Sequence, residues 1–366
     1  MVSSTSVDHL LQWPEDSMTR RSLALAALLL VALPFRAVAE SKQLSKEERA
    51  VFLRSAQIWK PTNVAEMDIR TGPASSDEFR PDELVTCDYV PTKPEGSSRK
   101  FNCKLVNGDV VKVRYGADNG EVVGSVLATR LLWALGFGAD RAYPVRVICN
   151  GCSKDPFNNR EVVEGSNVFD NATIELKMAG KEMKARPEGW EWRELDQLDE
   201  TAGGAPRAQR DGLKLLAVFL QHSDNKGVQQ RLVCLSGGLK DDGPCTKPFL
   251  MIHDVGLTFG HANYLNRNVT ASVNFDLWSK TPIWRNQAAC IGHLAKSSTG
   301  TLGDPKIGED GRAFLSGLLM QLTDQQIRDL FETAHVERRS PSGITVDDWV
   351  AAFNQKRAEI ASTHCP

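Results

Sequence analysis

The longest apolar stretch of the chain, residues 22–35, falls short of the roughly 20 residues a membrane-spanning helix needs, which argues against a polytopic membrane protein. Neither charge dominates: 44 Lys+Arg face 46 Asp+Glu, a net charge of −2, so broad nonspecific binding to nucleic acid is not expected. Aromatics are only 7%, and none run among basic residues, so no platform for stacked bases is in sight. Several chemical signatures are missing as well. There is no G-x-S-x-G for a serine hydrolase, no H-E-x-x-H for a zinc protease and no P-loop. No repeat recurs at a fixed period.

What is present is ordinary globular composition, 41% hydrophobic and 25% charged over 366 residues, enough for about two domains or lobes. Residues 18–39 read as an export signal: a basic start at Arg20-Arg21, an apolar stretch, and a small-residue site at Ala37-Val38-Ala39 with the cut after Ala39. A short membrane anchor is the alternative. Thr19-Arg20-Arg21-Ser22-Leu23 is loosely similar to a twin-arginine signal, so the export route stays open. Residues 1–17 fall outside the pattern and are expected to be a gene-start artefact. The residue directly after the cut is Glu40, not a cysteine, which argues against a lipoprotein.

All eight cysteines lie beyond the leader, and an even count in an exported chain reads as disulfides. Sequence proximity suggests Cys87–Cys103, Cys149–Cys152, Cys234–Cys245 and Cys290–Cys365, although spacing does not fix connectivity. Cys149-Asn-Gly-Cys152 is also half a zinc site or a redox pair in form. A second C-x-x-C and a strand–C-x-x-C–helix context are both missing, so a disulfide is favoured. The expected localisation is periplasmic or extracellular.

Along the chain, Ser45-Lys46-Glu47-Glu48 is a capping box opening a helix to about Trp59, within an N-terminal extension over 40–83. Strands are expected at 84–90, 100–106 and 109–115, the last two joined by the tight-turn pair Asn107-Gly108. Glu121 opens a helix with apolar residues at Val122, Val123, Val126, Leu127, Leu131 and Leu132. A strand follows at 143–149. Residues 150–206 read as an irregular insertion with a hairpin near 172–178, its Trp190 and Trp192 forming an apolar patch or lid. Helices are expected at 210–221, 312–322, 323–332 and 346–361, and short strands at 231–235 and 249–253. This order is α+β: a small antiparallel β lobe with one helix over 84–149, and a larger, mainly helical lobe over 150–366.

Two polar stretches stand out. His222-Ser223-Asp224-Asn225-Lys226-Gly227-Val228-Gln229 follows an apolar helix, and His253-Asp254-Val255-Gly256 follows the next strand pair. Upstream, Lys112 lies on a strand and Glu121 on the following helix. Phosphoryl transfer needs such types: cations on the phosphates, a carboxylate and an amide for a metal, and a carboxylate to orient the acceptor hydroxyl.

On these residues the chain resembles the protein-kinase-like superfamily. The likeness is to atypical members such as phosphatidylinositol kinases, toxin-type bacterial kinases and secretory-pathway kinases, here in an exported bacterial form. Residues 222–229 resemble the family's catalytic loop H-R-D-x-K-x-x-N, Asp254-Val255-Gly256 its D-F-G, and Val111-Lys112-Val113 its lysine strand. The resemblance implies a two-lobed, disulfide-stapled fold and ATP with Mg²⁺, or Mn²⁺, as cofactors. It implies that Lys112 contacts the α/β phosphates and pairs with Glu121, with Lys100 and Lys104 as competitors for that role. Asp224 would orient the acceptor, Lys226 would neutralise the γ-phosphate, and Gln229 and Asp254 would hold the metal. The family's G-x-G-x-x-G is missing; Gly96, Ser97 and Ser98 on the connection between the first two strands stand in its place. Gln229 replaces Asn, the stretch between Gln229 and Asp254 is longer than the family's, and an exported chain meets little ATP.

The expected activity is phosphotransfer or nucleotidyl transfer to a protein or small-molecule acceptor that the sequence does not name. The alternatives are a catalytically silent kinase-like binding module of the cell envelope and an exported metal-dependent hydrolase using His222, His253, His261 and His293 with Asp224 and Asp254. His222 and His253 are otherwise expected to fix the backbone beside each aspartate. No span after leader removal and no nucleic-acid partner are expected, and the oligomeric state is open.

Overall fold

The computed structural model describes residues 43–73, 78–239, 243–260, 272–294 and 297–366. The export signal, its cleavage site, His261 and the segment just after Gly260 lie outside the described residues.

The chain begins with α1 (Lys46–Ser55), whose Ser45–Glu48 capping box forms as its sequence requires. The helix stops earlier than expected. Gln57 instead pairs with Pro248 and Leu250, its N–H donating to Pro248 O at 2.9 Å and its carbonyl accepting from Leu250 N at 2.8 Å. Strand pairing thereby takes the residues that periodicity assigned to another helical turn.

Five strands form a closed barrel: β1 (Glu83–Val90), β2 (Lys100–Lys104), β3 (Val110–Tyr115), β4 (Arg141–Asn150) and β5 (Ser166–Leu176), in the order β1-β2-β3-β5-β4. The Asn107-Gly108 turn sets the β2–β3 register, with Gly108 at φ +91° and Lys100 opposite Arg114. Neighbours pair antiparallel except β1 and β4, which close the barrel in parallel. Alternate residues point inward, so Phe101, Val111, Val113 and Tyr115 fill the barrel. Lys100, Lys112 and Arg114 share its outer face by the same alternation. β5 is a finding against expectation. It lies in the stretch read as an irregular insertion, yet it is the 11-residue strand that completes the wall.

α2 (Gly120–Ala134) is apolar on every side and is buried almost throughout. A second, larger core receives it together with α1, α3 (Arg207–Leu220), α4 (Phe275–Lys280), α5 (Glu309–Leu319), α6 (Asp324–Thr333) and α7 (Val346–Ser362). Thr323 caps α6 through the expected box with Gln326. A three-stranded sheet of β6 (Lys181–Glu182), β7 (Gln230–Cys234) and β8 (Pro248–Ile252) lies within this part. Trp190 and Trp192 are fully buried in the larger core, and Trp190 Nε1 donates to Met251 O at 3.1 Å. They are core, not a lid. Barrel and helices belong to one compact unit, Ser41–Pro366.

The four disulfides pair as proximity suggests, Cys87–Cys103, Cys149–Cys152, Cys234–Cys245 and Cys290–Cys365, with no free cysteine left. Cys234–Cys245 staples the long connection between β7 and β8 that separates Gln229 from Asp254. Among the described residues no helix is long and apolar enough to cross a membrane.

Candidate active site

The barrel side of the site is built around Arg114. β3 ends at Tyr115, and Asn119 caps α2 by accepting from Glu121 N at 3.2 Å, which sets Glu121 in the first helical turn. There Glu121 forms an ion pair with Arg114 and accepts from Ser98 Oγ at 2.7 Å. Arg114 also meets Glu175 at 3.2 Å and Asp254 at 3.0 Å, and its side chain is wholly enclosed. Lys112 pairs instead with Glu175, Nζ to Oε1 at 2.6 Å.

This corrects the expected Lys112–Glu121 pair. The cation that meets the α2 glutamate is Arg114, one pleat repeat further along the same face of β3. Burial opposes the charge of Asp254, but Arg114, Lys112 and Lys100 outweigh it and hold the carboxyl far below its usual range. Glu175 is lowered in the same way: burial acts against it, and Arg114 and Lys112 prevail. For Arg114, burial is overcome by Asp254, Glu121 and Glu175, and its pKa rises.

Lys100 differs from its neighbours. It is 5% exposed, and among the described residues its amine has no hydrogen-bond or ion-pair partner. Burial, then the nearby Arg114, lower its pKa. The amine lies against Gly96, where an added Cβ would come within 2.7 Å of Nζ; Gly96 sits at φ +90°. Gly96 and Ser97 are exposed on the β1–β2 connection, while Ser98 is tied to Glu121.

The second half of the site is the loop after α3. Gln221 takes a left-handed conformation, φ 53°, that ends the helix and turns the chain into 222–229. Asn225, fully buried, anchors the loop: its Oδ1 accepts from Thr301 N and Leu302 N, both at 2.8 Å, and its Nδ2 donates to His222 O at 2.9 Å. Asp224 gathers three donors. Gln229 Nε2 lies 2.8 Å and Lys226 Nζ 3.3 Å from Oδ2, and Ser297 Oγ donates to Oδ1 at 3.2 Å. The expected trio of Asp224, Lys226 and Gln229 is therefore brought together.

Gln229 joins the two halves. β7 and β8 pair Gln230 with Ile252, so the Gln229 carbonyl accepts from His253 N at 2.9 Å and Asp254 N at 3.3 Å. Asp254 is brought to Arg114 by a close approach of two glycines. A Cβ on Gly124 would meet Gly256 O at 2.3 Å, and one on Gly256 would meet Glu121 at 2.9 Å. His253 Nδ1 bonds Asp140, which also accepts from Met178 N at 2.8 Å. His253 thus fixes the backbone beside Asp254.

His222 is buried with neither ring nitrogen hydrogen-bonded. Burial lowers its pKa to about 4, against the pull of Asp224 and Asp254, so the ring is neutral at neutral pH. Gln229 Oε1, Ser223 Oγ and, beside Gly256, Ser125 Oγ are likewise buried without a partner. The ligand atoms of Asp140, Glu175 and His253 converge, and these groups already hold His253, Lys112 and Arg114 in pairs. Among the described residues no convergent set contains His222, His293 or Asp224, and His261 lies outside them.

Sequence reading missed Arg114, Glu175, Asp140 and Ser297. Arg114 had a signal, since it sits on the Lys112 face two residues on. Glu175 had none without β5.

The chain matches no family model and no curated protein. Among solved structures it is similar to a Helicobacter pylori proinflammatory kinase, CtkA, at 10% identity and a TM-score of 0.41, covering 78% of this chain and 95% of that one.

Proposed function

We propose that this chain is an exported, kinase-like phosphotransferase that uses ATP with Mg²⁺. The observation that carries the reading is the junction at Gln229: one residue ties the Asp224–Lys226 cluster by its side chain and the Asp254 segment by its backbone. The two carboxylates we assign to the acceptor and to the metal thus flank one residue, met by its side-chain amide and its backbone carbonyl respectively. Four disulfides accord with an oxidising, extracytoplasmic setting.

The residues fit the nucleotide and its metal. Among the described residues Gln229 Oε1 is a buried acceptor with no hydrogen-bond partner, and its residue is joined through the backbone to Asp254. Among the described residues the amine of the buried Lys100, against the Gly96 loop, makes no hydrogen bond or ion pair, so it, rather than the Glu175-bound Lys112, is the cation we assign to the phosphates. The bound metal would neutralise phosphate oxygens at Asp254 and Gln229. Asp224 orients the acceptor hydroxyl and receives its proton. Lys226 offsets charge on the transferring group. Glu121 holds Arg114, and Arg114 holds Asp254 in place. Nucleotidyl transfer from the same donor would call on the same residues.

One observation favours the silent binding module: Arg114 already occupies one oxygen of Asp254, so a metal must share that carboxylate. Thermal melting with nucleotide and turnover assays separate the two readings. ATP–Mg²⁺ at ~100 times its Kd should stabilise the wild type by about 2.7 kcal/mol. Asp254→Asn and Lys100→Met should each lose most of that shift. Asp224→Asn should keep it and lose turnover. A wild type unstabilised by any nucleotide rejects the proposal, and stabilisation without transfer selects the silent module.

A further inference from the structure

The carboxylate assigned to orient an acceptor hydroxyl already holds one. Ser297 Oγ donates to Asp224 Oδ1 at 3.2 Å, on the oxygen left over by Gln229 and Lys226, which both approach Oδ2. This contact is built rather than incidental. Ser297 N donates to Ser223 O at 2.8 Å, which fixes the serine backbone to the residue just before Asp224. Gly300 N donates to Ser297 O at 3.1 Å and forms a turn. Beyond it, Asn225 clamps the same strap: Oδ1 accepts from Thr301 N and Leu302 N, and Nδ2 donates to Leu302 O at 3.1 Å. Thr301 Oγ1 also donates to Asn225 O at 3.1 Å. Residues 297–302 thus run along the catalytic loop as a bound peptide would, with one hydroxyl delivered to Asp224. Ser298 and Thr299 are exposed and make no hydrogen bond to that carboxylate.

We propose that Ser297 is an acceptor for the chain's own phosphoryl transfer, an intramolecular modification site that rests on the phosphotransfer reading above. The step balances with a nucleoside triphosphate as donor. The Ser297 Oγ–H proton passes to the Asp224 carboxylate. A bond forms from Oγ to the γ-phosphorus, the bond from that phosphorus to the β,γ-bridging oxygen breaks, and the nucleoside diphosphate leaves. The product is a phosphoserine beside Asp224. Like charges repel there, so the modified strap is driven off the loop and the acceptor position opens to an outside substrate. The strap acts as a first substrate whose modification unblocks the site.

The test uses the full oxidised chain with ATP and Mg²⁺, peptide mass mapping, and thermal melting in parallel. The expected result is a phosphoryl group on Ser297, gained at a rate constant independent of protein concentration. Ser297→Ala should lose that mark, Ser297→Thr should restore one at the same position, and Asp224→Asn should lose it while keeping the nucleotide-induced thermal shift. Faster cleavage of the 297–302 strap by protease after modification is also expected. Phosphate found only at other residues overturns the assignment, as does a nucleotidyl group on Ser297 or a rate constant that rises with protein concentration. A thermal shift with no transfer anywhere overturns the self-modification but leaves nucleotide binding standing. No thermal shift with any nucleotide overturns the reading beneath it.

Discussion

On the barrel side of the site Arg114 is fully enclosed and meets three carboxylates, whereas on the loop side the His222 ring is nearly as enclosed, packs against Trp192 and, among the described residues, has no hydrogen-bond partner. Both sides contain polar groups withdrawn from water. The first compensates them by mutual ion pairing, which makes the set stable only as a set: an enclosed charge without its counter-charge is costly. The second leaves His222, Ser223 and Gln229 with unsatisfied atoms, each an expense of about 1–3 kcal/mol that a packed core would avoid. The barrel side therefore reads as scaffold that holds Asp254 in position. The loop side lacks that mutual compensation among the described residues.

This contrast ranks the expected effects of substitution. Arg114→Met should cost the most, about 3–5 kcal/mol in denaturant unfolding, because Glu121, Glu175 and Asp254 lose their shared cation. The acid limb should move with it. In the wild type, the pKa of Asp254 is depressed, so its contribution is present above the unfolded value of about 3.9 and is lost only as pH falls through the much lower folded value. With Arg114 gone, burial acts unopposed by it, and acid unfolding should begin at higher pH. An acid midpoint unchanged in Arg114→Met would mean that the network does not hold Asp254 ionised.

His222→Phe should come next, and only under acid. The folded pKa of His222 is lowered to about 4, so the unfolded chain binds the extra proton as pH falls below about 6.5. Wild-type stability should therefore decline between pH 6.5 and 4, by up to roughly 3 kcal/mol, and this decline should flatten in the variant. Stability curves measured at several pH values decide it. A wild type with no slope in that window would show that the ring is paired or hydrated in solution.

The smallest effect is expected where the two sides meet. Gly124→Ala would set a methyl 2.3 Å from Gly256 O and force α2 and the Asp254 segment apart. Overpacking of this kind costs about 1–3 kcal/mol, read as a lower midpoint in chemical unfolding. A neutral result would mean that the glycine contact is not what brings Asp254 to Arg114.

The parts of this protein legible in sequence share one physical basis: their causes lie within a few residues. The Ser45 and Thr323 boxes, the Asn107-Gly108 turn and the alternation of β3 depend on neighbours along the chain, and each formed as read. The grouping of Asp224, Lys226 and Gln229 followed the same rule, since they lie on one short loop. The Cys149–Cys152 disulfide, three residues apart, behaved likewise, whereas Cys290–Cys365 bridges 75 residues. The expected Lys112–Glu121 pair failed differently. Alternation placed Lys112 and Arg114 on one face, and nothing local says which of two cations on a face meets the helix. Only the tertiary structure decided that, because the choice depends on β5. Its Glu175 stands opposite Lys112 and engages it together with Arg114, while Glu121 and Asp254 pair with Arg114. β5 itself, the parallel closure of β1 on β4, and the arrival of Ser297 at Asp224 join residues far apart in sequence. Their free energy comes from burying surfaces and charges that face one another only after the chain has collapsed, so no local pattern carries them.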